Sequence, residues 1–162
     1  YGEYSRLSLQ WLGIDNLSEK EIMGIDKSLM GGAKFRNGFE YTIPSQSLRE
    51  SLFRIKDKDL ERAGDVYSFY NDLKNSIKAV SEKTKIGGYH FWVVGNRTVK
   101  GELLKTDVII TEIADSYGLE HVYTIDRNII NKVMPSLNSP TNESGIKAET
   151  MTNEHIVVLR KR

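Results

Sequence analysis

The chain contains no cysteine among its 162 residues. This absence excludes disulfide frameworks, thiolate zinc sites and cysteine nucleophiles. No apolar run approaches the roughly 18 residues that a membrane-spanning helix needs, and no signal-peptide pattern opens the chain. Lys and Arg together number 23 against 22 for Asp and Glu, so neither sign of charge dominates. We therefore expect one soluble, cytoplasmic domain over residues 1–162 without a membrane partner.

Several motifs of enzyme chemistry are also missing. The sequence has no G-x-G-x-x-G pattern, no phosphate-binding loop and no serine-centred nucleophile elbow. Its three histidines are poor candidates for a metal site, because His90 and His121 lie at the start of two strands that run in the same direction. His155 opens a third strand at the opposite end of the sheet. We expect these side chains to pack at strand ends and expect no metal ligands.

Hydrophobic periodicity indicates a helix that leads into a strand. The helical stripe consists of Val66, Phe69, Tyr70, Leu73, Ile77 and Val80. Gly87-Gly88 follows, and the first of these glycines can adopt the left-handed conformation that ends a helix. Residues 89–94 then form an apolar run without polar alternation. Such a run predicts a strand that is buried on both faces.

The same order of elements then repeats. Thr106 can cap a helix that ends at Gly118, and a strand over 120–125 follows. The predicted apolar face of this helix consists of Val108, Ile109, Ile113, Ala114 and Tyr117. The last strand, 155–160, has no helix before it. We therefore predict an α/β fold of three layers, with 89–94 parallel to 120–125 and 155–160 inserted antiparallel between them.

The amino-terminal region is predicted to be helical over residues 1–60, and the sheet region covers 61–162. The clearest signal in the first part is the sequence from Ser47 to Glu50, which has the spacing of a capping box. It predicts a helix that continues through Leu52 and Ile55.

Two polar segments are candidates for a functional site. Gly95-Asn96-Arg97 follows the strand 89–94, and open α/β sheets bind ligands at the carboxyl ends of their strands. The long connection 127–153 contains Asn131-Lys132 and, further along, Asn138-Ser139 and Thr141-Asn142. Each segment is compatible either with a solvated turn or with a binding surface, and donor-rich loops suit nucleic acid.

Four segments, in order, resemble the amino-group DNA methyltransferases of restriction–modification systems. They are residues 1–13, 68–73, 87–101 and 131–142, with the sequences YGEYSRLSLQWLG, SFYNDL, GGYHFWVVGNRTVKG and NKVMPSLNSPTN. These enzymes transfer a methyl group from S-adenosylmethionine to adenine N6 or cytosine N4. The resemblance implies the last three strands of a Rossmann-like class I methyltransferase sheet, with the final strand antiparallel.

The resemblance also implies that parts of the enzyme are missing. The family's catalytic tetrapeptide ends in Pro-Pro and an aromatic residue, whereas the prolines here, Pro44, Pro135 and Pro140, are isolated. The tetrapeptide is expected shortly before Tyr1, and the glycine loop for S-adenosylmethionine is absent. We therefore expect an inactive carboxyl-terminal half without catalytic residues. It would use the cofactor only in the complete enzyme, together with a missing amino-terminal half or subunit.

The residues of this half would contact DNA and line the pocket. The resemblance implies a cofactor-side pocket wall formed by Gly95, Asn96 and Arg97. The expected DNA contacts are Lys34, Arg36, Lys100, Asn131, Lys132, Asn138, Ser139, Thr141 and Asn142. A homo-oligomer formed through an uncovered strand 89–94 is a further expectation. The alternative is a non-catalytic nucleic-acid-binding or assembly module of α/β type.

Overall fold

The computed structural model describes residues 8, 11, 18–32, 35, 39–128, 137–138, 148–149 and 153–162. The helices with described bounds are α1 (Glu19–Ser28), α2 (Gln46–Lys58), α3 (Leu60–Lys83) and α4 (Thr106–Asp115). The strands are β1 (Tyr89–Val94), β2 (Arg97–Val99), β3 (Glu102–Leu104), β4 (Leu119–Asn128), β5 (Leu137–Asn138), β6 (Ala148–Glu149) and β7 (Asn153–Lys161). Within these ranges, no helix is long and apolar enough to cross a membrane.

The central sheet has the strand order β1–β7–β4. Strand β7 is antiparallel to both neighbours, and its Val158 pairs with Phe91 on one side and Tyr123 on the other. Strands β1 and β4 are therefore parallel to each other and are connected through α4. The predicted α/β class and the predicted insertion of an antiparallel strand between two parallel ones are both confirmed. A crossover helix joins parallel strands, whereas β7 follows β4 without a helix of described bounds between them.

The helices that contact this sheet cover one of its faces. Helices α3 and α4 pack against the side that carries Trp92 and Leu159, while α2 packs outside them against α3, α4 and β3. On the opposite face of β1, Tyr89, Phe91 and Val93 are between 53 and 63% exposed. The prediction that 89–94 is buried on both faces is therefore wrong for the described part of the chain. The predicted third layer is not present there either.

Helix α3 forms as predicted but differs at its carboxyl end. Val80 of the predicted stripe is exposed, and the neighbouring Ser81 is buried instead. The Ser81 hydroxyl donates to the Tyr117 carbonyl at 2.9 Å and accepts from Lys161 Nζ at 2.7 Å, which turns this position toward the sheet. The helix ends at Lys83, before the predicted stop. Gly87 has a φ of 79°, the left-handed conformation predicted for it.

Two predicted helix caps are wrong because a tertiary contact uses the side chain. Ser45 caps α2 and accepts from the Leu48 N–H at 3.1 Å, while the Ser47 hydroxyl donates to Glu112 on α4 at 2.7 Å. Thr106 is the first residue of α4, and its hydroxyl is 2.9 Å from that of Tyr70. On the apolar face of α4, Val108 is 37% exposed and Ile110 takes the predicted buried position.

Candidate functional site

The carboxyl ends of β1 and β4 lie beside the amino end of β7, at one end of the sheet. His155 of β7 pairs in register with Val94 of β1 and with Asp126 of β4. His90 and His121 both pair with Leu159 at the other end of the sheet, which confirms the predicted separation of the histidines. Among the described residues, no group of three or more His, Cys, Asp or Glu is arranged to hold a metal ion.

A chain of polar side chains connects the three strand ends. The Asn96 amide nitrogen lies 3.1 Å from His155 Nε2, and His155 Nδ1 lies 2.6 Å from Asp126 Oδ1. The Asn96 oxygen accepts from the backbone N–H of Asp107, at the start of α4, at 3.4 Å. These contacts hold the half-buried Asn96 side chain between β7 and α4. Among the described residues, its amide keeps one N–H and one lone pair without a partner, and these could bind a ligand.

Arg97 begins β2 and lies at the surface of a cavity of about 260 Å³. The cavity opens between the end of α1, α3 and the β2–β3 hairpin, and Phe69, Tyr70 and Arg62 also line it. In the described structure, the exposed Arg97 guanidinium has no hydrogen bond or ion pair. Its five donors are therefore available to a ligand at this surface.

The groups behind Arg97 are buried and polar. Burial raises the pKa of the Tyr70 hydroxyl, so this group is a neutral hydrogen-bonding partner of Thr106 at neutral pH. One oxygen of Asp107, in the first turn of α4, is buried without a partner among the described residues. A carboxylate at this position interacts favourably with the positive end of the helix.

Of the predicted DNA contacts, Lys100 is the one whose side chain the structure describes. Lys100 lies in the turn of the β2–β3 hairpin, at the far end from Arg97, and its ammonium group is 3.0 Å from Asp59 Oδ2. For Asn138 the structure gives the backbone position in β5. The other predicted DNA contacts lie outside the described residues: Lys34, Arg36, Asn131, Lys132, Ser139, Thr141 and Asn142.

The sequence pattern does not reveal the partners of Asn96. It placed Gly95, Asn96 and Arg97 at the end of β1, and the structure places them there, but it gave no role to His155, Asp126 or Asp107. The contact between Asn96 and His155 spans 59 residues, and that between His155 and Asp126 spans 29. The predicted strand order was the available signal, because it puts the start of β7 beside the end of β1.

The chain as a whole is similar to a known methyltransferase over almost its entire length. The relative is the type II methyltransferase M.MvaI of Kocuria varians, which is 42% identical over 165 residues. The match covers 99% of this chain and 36% of the relative. The chain therefore spans little more than a third of the relative's length. The resemblance to methyltransferases of restriction–modification systems is confirmed.

The other comparisons add little. A solved structure that matches is that of TTHA0409 from Thermus thermophilus, a protein assigned as a DNA modification methylase and crystallised with S-adenosyl-L-methionine. The match has 20% identity and a TM-score of 0.42, covers 60% of this chain and 38% of that one, and supports no argument about function. No family model matches the chain.

Proposed function

We propose that this chain is part of a site-specific DNA methyltransferase that acts on an exocyclic amine of adenine or cytosine. The observation that carries the proposal is the 42% identity with M.MvaI over 99% of the chain. Residues 61–162 would supply the sheet edge beside the target base, and residues 1–60 would lie on the DNA side. Such an enzyme would act in the cytoplasm, where the DNA of a bacterium lies.

The chemistry explains why this edge of the sheet would be useful. An enzyme that modifies a base in a duplex must first take that base out of the stack, at a cost of a few kcal/mol. The flipped base then needs hydrogen-bonding partners to replace those it lost. Gly95, Asn96 and Arg97 would form one wall of the pocket, where Asn96 offers one donor and one acceptor. The unpaired guanidinium of Arg97 would add donors.

The cavity beside Arg97 does not form a site for the whole S-adenosylmethionine molecule. The cavity beside Arg97 is about 260 Å³, below the range of about 300–1,000 Å³ that is usual for pockets that enclose a ligand of this size. Two guanidinium groups line the cavity, and Asp65 pairs with one of them, Arg62, at 3.1 Å. The unpaired Arg97 would repel the sulfonium cation of the cofactor, so that of the cofactor's charged groups only its carboxylate would suit this guanidinium. We therefore place the cofactor site in the rest of the complete enzyme.

The rest of the enzyme would cover the exposed side of the sheet. In the described structure β1 pairs with β7 alone, so one edge of β1 presents free backbone groups. The adjoining face carries Tyr89, Phe91 and Val93, which are all more than half exposed. Large apolar patches beside a free strand edge are typical of interfaces. The missing half or subunit would pair with this edge, and a second copy of the chain would take its place when that half is absent.

The proposal is tested with the complete protein, which is this chain together with what its reading frame and the adjacent one encode upstream. Transfer of labelled methyl groups from S-adenosylmethionine to DNA is measured, and digestion to nucleosides identifies the methylated base. We expect N6-methyladenine or N4-methylcytosine. DNA binding without transfer by a protein that binds the cofactor would instead support the non-catalytic module.

Variants of Asn96 and Arg97 test the proposed pocket wall in the same assay. Asn96→Ala and Arg97→Ala should each lower the transfer rate about 10- to 100-fold, because a misplaced target base reacts slowly. Lys78→Ala, on the exposed side of α3, is the matched control and should retain the wild-type rate. Equal rates for all three variants would show that Asn96 and Arg97 lie outside the pocket.

A further inference from the structure

The orientation of the Asn96 amide is set by a contact with a backbone N–H, which can act only as a hydrogen-bond donor. The backbone N–H of Asp107 can act only as a donor, so the atom that faces it at 3.4 Å must be the amide oxygen of Asn96. The amide nitrogen then faces His155 Nε2 at 3.1 Å. Because an amide nitrogen only donates, Nε2 must be the unprotonated acceptor.

This assignment continues to Asp126. A neutral imidazole with an unprotonated Nε2 carries its proton on Nδ1, and Nδ1 lies 2.6 Å from the Asp126 carboxylate, which accepts. All three contacts are satisfied by a single arrangement of hydrogens. The His155 side chain is 17% exposed and that of Asp126 is 73% exposed, so the carboxylate holds the ring from the solvent side.

We propose that His155 is a positioning residue that, with Asp126 behind it, sets the direction of the Asn96 amide at the site. The inference rests on the proposed function insofar as that function places Asn96 beside the target base. With the amide in this direction, the free N–H lies on the β7 side and the free lone pair on the α4 side. Inverting the amide would exchange the two, and a base edge that matches one arrangement would meet the wrong partner in the other.

Two substitutions at position 155 separate positioning from simple support of the sheet. The terminal amide of glutamine reaches the position of Nε2, so His155→Gln retains an acceptor for Asn96 and loses the contact with Asp126. Asparagine reaches the position of Nδ1, so His155→Asn retains the contact with Asp126 and loses the one with Asn96. If His155 only joined β7 to β4, the second variant would be the better tolerated.

The first measurement uses nuclear magnetic resonance of the 162-residue chain and does not depend on catalysis. We expect the ring nitrogens of His155 to resonate as protonated Nδ1 and unprotonated Nε2. The Asn96 carboxamide protons should exchange slowly with solvent in the wild type and in His155→Gln, and about 10-fold faster or more in His155→Asn. A protonated Nε2 with an unprotonated Nδ1, or the reverse order of the variants, would overturn the proposal.

The second measurement is methyl transfer by the complete protein. His155→Gln should stay within about threefold of the wild-type rate, and His155→Asn should lose about 10- to 100-fold, as expected for a misdirected binding group. The matched controls are His121→Gln and His121→Asn at the other end of the sheet, where the ring contacts Thr124. Both should retain the wild-type rate. If the wild type transfers no methyl group, the proposed function fails, while the exchange rates still decide the role of His155.

Discussion

The hydrogen-bond partners of His90 determine which charge state of its ring is stable. The Thr84 hydroxyl donates its hydrogen to the Val80 carbonyl at 2.8 Å, so it can only accept from His90 Nε2, at 2.6 Å. The other ring nitrogen, Nδ1, is buried without a partner among the described residues. Protonation would place a charge and an unpaired N–H there. Desolvation, and to a smaller extent the charge of Lys161, therefore lower the pKa of His90.

This lowered pKa predicts a loss of stability in mild acid. The unfolded chain binds the proton near the ordinary pKa of 6.5, whereas the folded chain binds it at lower pH. The stabilisation is complete above pH 6.5 and is lost as the pH falls through the folded pKa. The free energy of unfolding, measured by urea titration, should therefore fall from about pH 7.5 to about pH 5. For one proton, the slope is at most about 1.4 kcal/mol per pH unit.

His90→Gln tests this explanation, because the glutamine amide can still donate to Thr84 but does not titrate. The variant should show a smaller slope over the same pH interval. His121→Gln measures what an exposed imidazole contributes in the same sheet. Equal slopes for the wild type and His90→Gln would mean that the acid sensitivity arises elsewhere.

At the scale of elements, a carboxylate of α4 stabilises the start of α2. Glu112 accepts from the hydroxyl and the backbone N–H of Ser47 at 2.7 and 3.2 Å, and also from the hydroxyl of Ser45. It therefore satisfies a free N–H of the first turn and places negative charge at the positive end of the helix. Together with burial, which is the larger cause, the Glu112 charge raises the pKa of Tyr41 to about 12.

Replacing this carboxylate should destabilise the chain measurably. Glu112→Gln retains the shape but turns one acceptor into a donor that faces serine donors. We expect a loss of about 1–2 kcal/mol in the free energy of unfolding, as for the loss of a helix cap. The control is Glu50→Gln, an exposed residue of α2 that accepts from Gln46, with an expected effect within about 0.5 kcal/mol. Equal losses would show that the Glu112 contacts are replaceable.

The elements could be predicted from the sequence more reliably than their tertiary contacts. The α3 stripe, Gly118 after α4 and the strand order follow from local periodicity and from the lack of a helical sequence pattern before β7. The two caps could not be predicted, because Ser47 and Thr106 bind partners 65 and 36 residues away. The contact between Asn96 and His155 could not be predicted for the same reason. It depends on the register of β7, which the sequence pattern does not specify.

At the scale of the whole molecule, the chain should not bind S-adenosylmethionine by itself. The sequence lacks the glycine loop and the Pro-Pro tetrapeptide, and the cavity beside Arg97 is small and lined by two guanidinium groups and one carboxylate. Calorimetric titration of the isolated chain should therefore give no heat of binding, and no methyl transfer to DNA should occur. The complete protein, titrated in parallel, is the positive control. Micromolar binding by the isolated chain would contradict our placement of the cofactor site.

The exposed side of β1 predicts that the isolated chain associates. Its outward side chains are apolar, and its free edge can pair with a strand of another molecule. The side chain to change is Phe91, which is 63% exposed. Trp92 packs against the core, and its buried indole nitrogen has no partner in the described structure, so Trp92→Lys would unfold the chain as well as alter the edge.

Phe91→Lys should shift the isolated chain toward the monomer in sedimentation experiments at micromolar concentration. An exposed position costs little stability, so the free energy of unfolding should change by less than about 0.5 kcal/mol. Val80→Lys, at an exposed valine on α3, adds the same charge away from β1 and should leave association unchanged. Addition of the proposed amino-terminal half should reduce the association of the wild-type chain, because that half would pair with the same strand. A wild-type chain that stays monomeric, or a Phe91→Lys chain that associates as strongly, would show that β1 needs no partner.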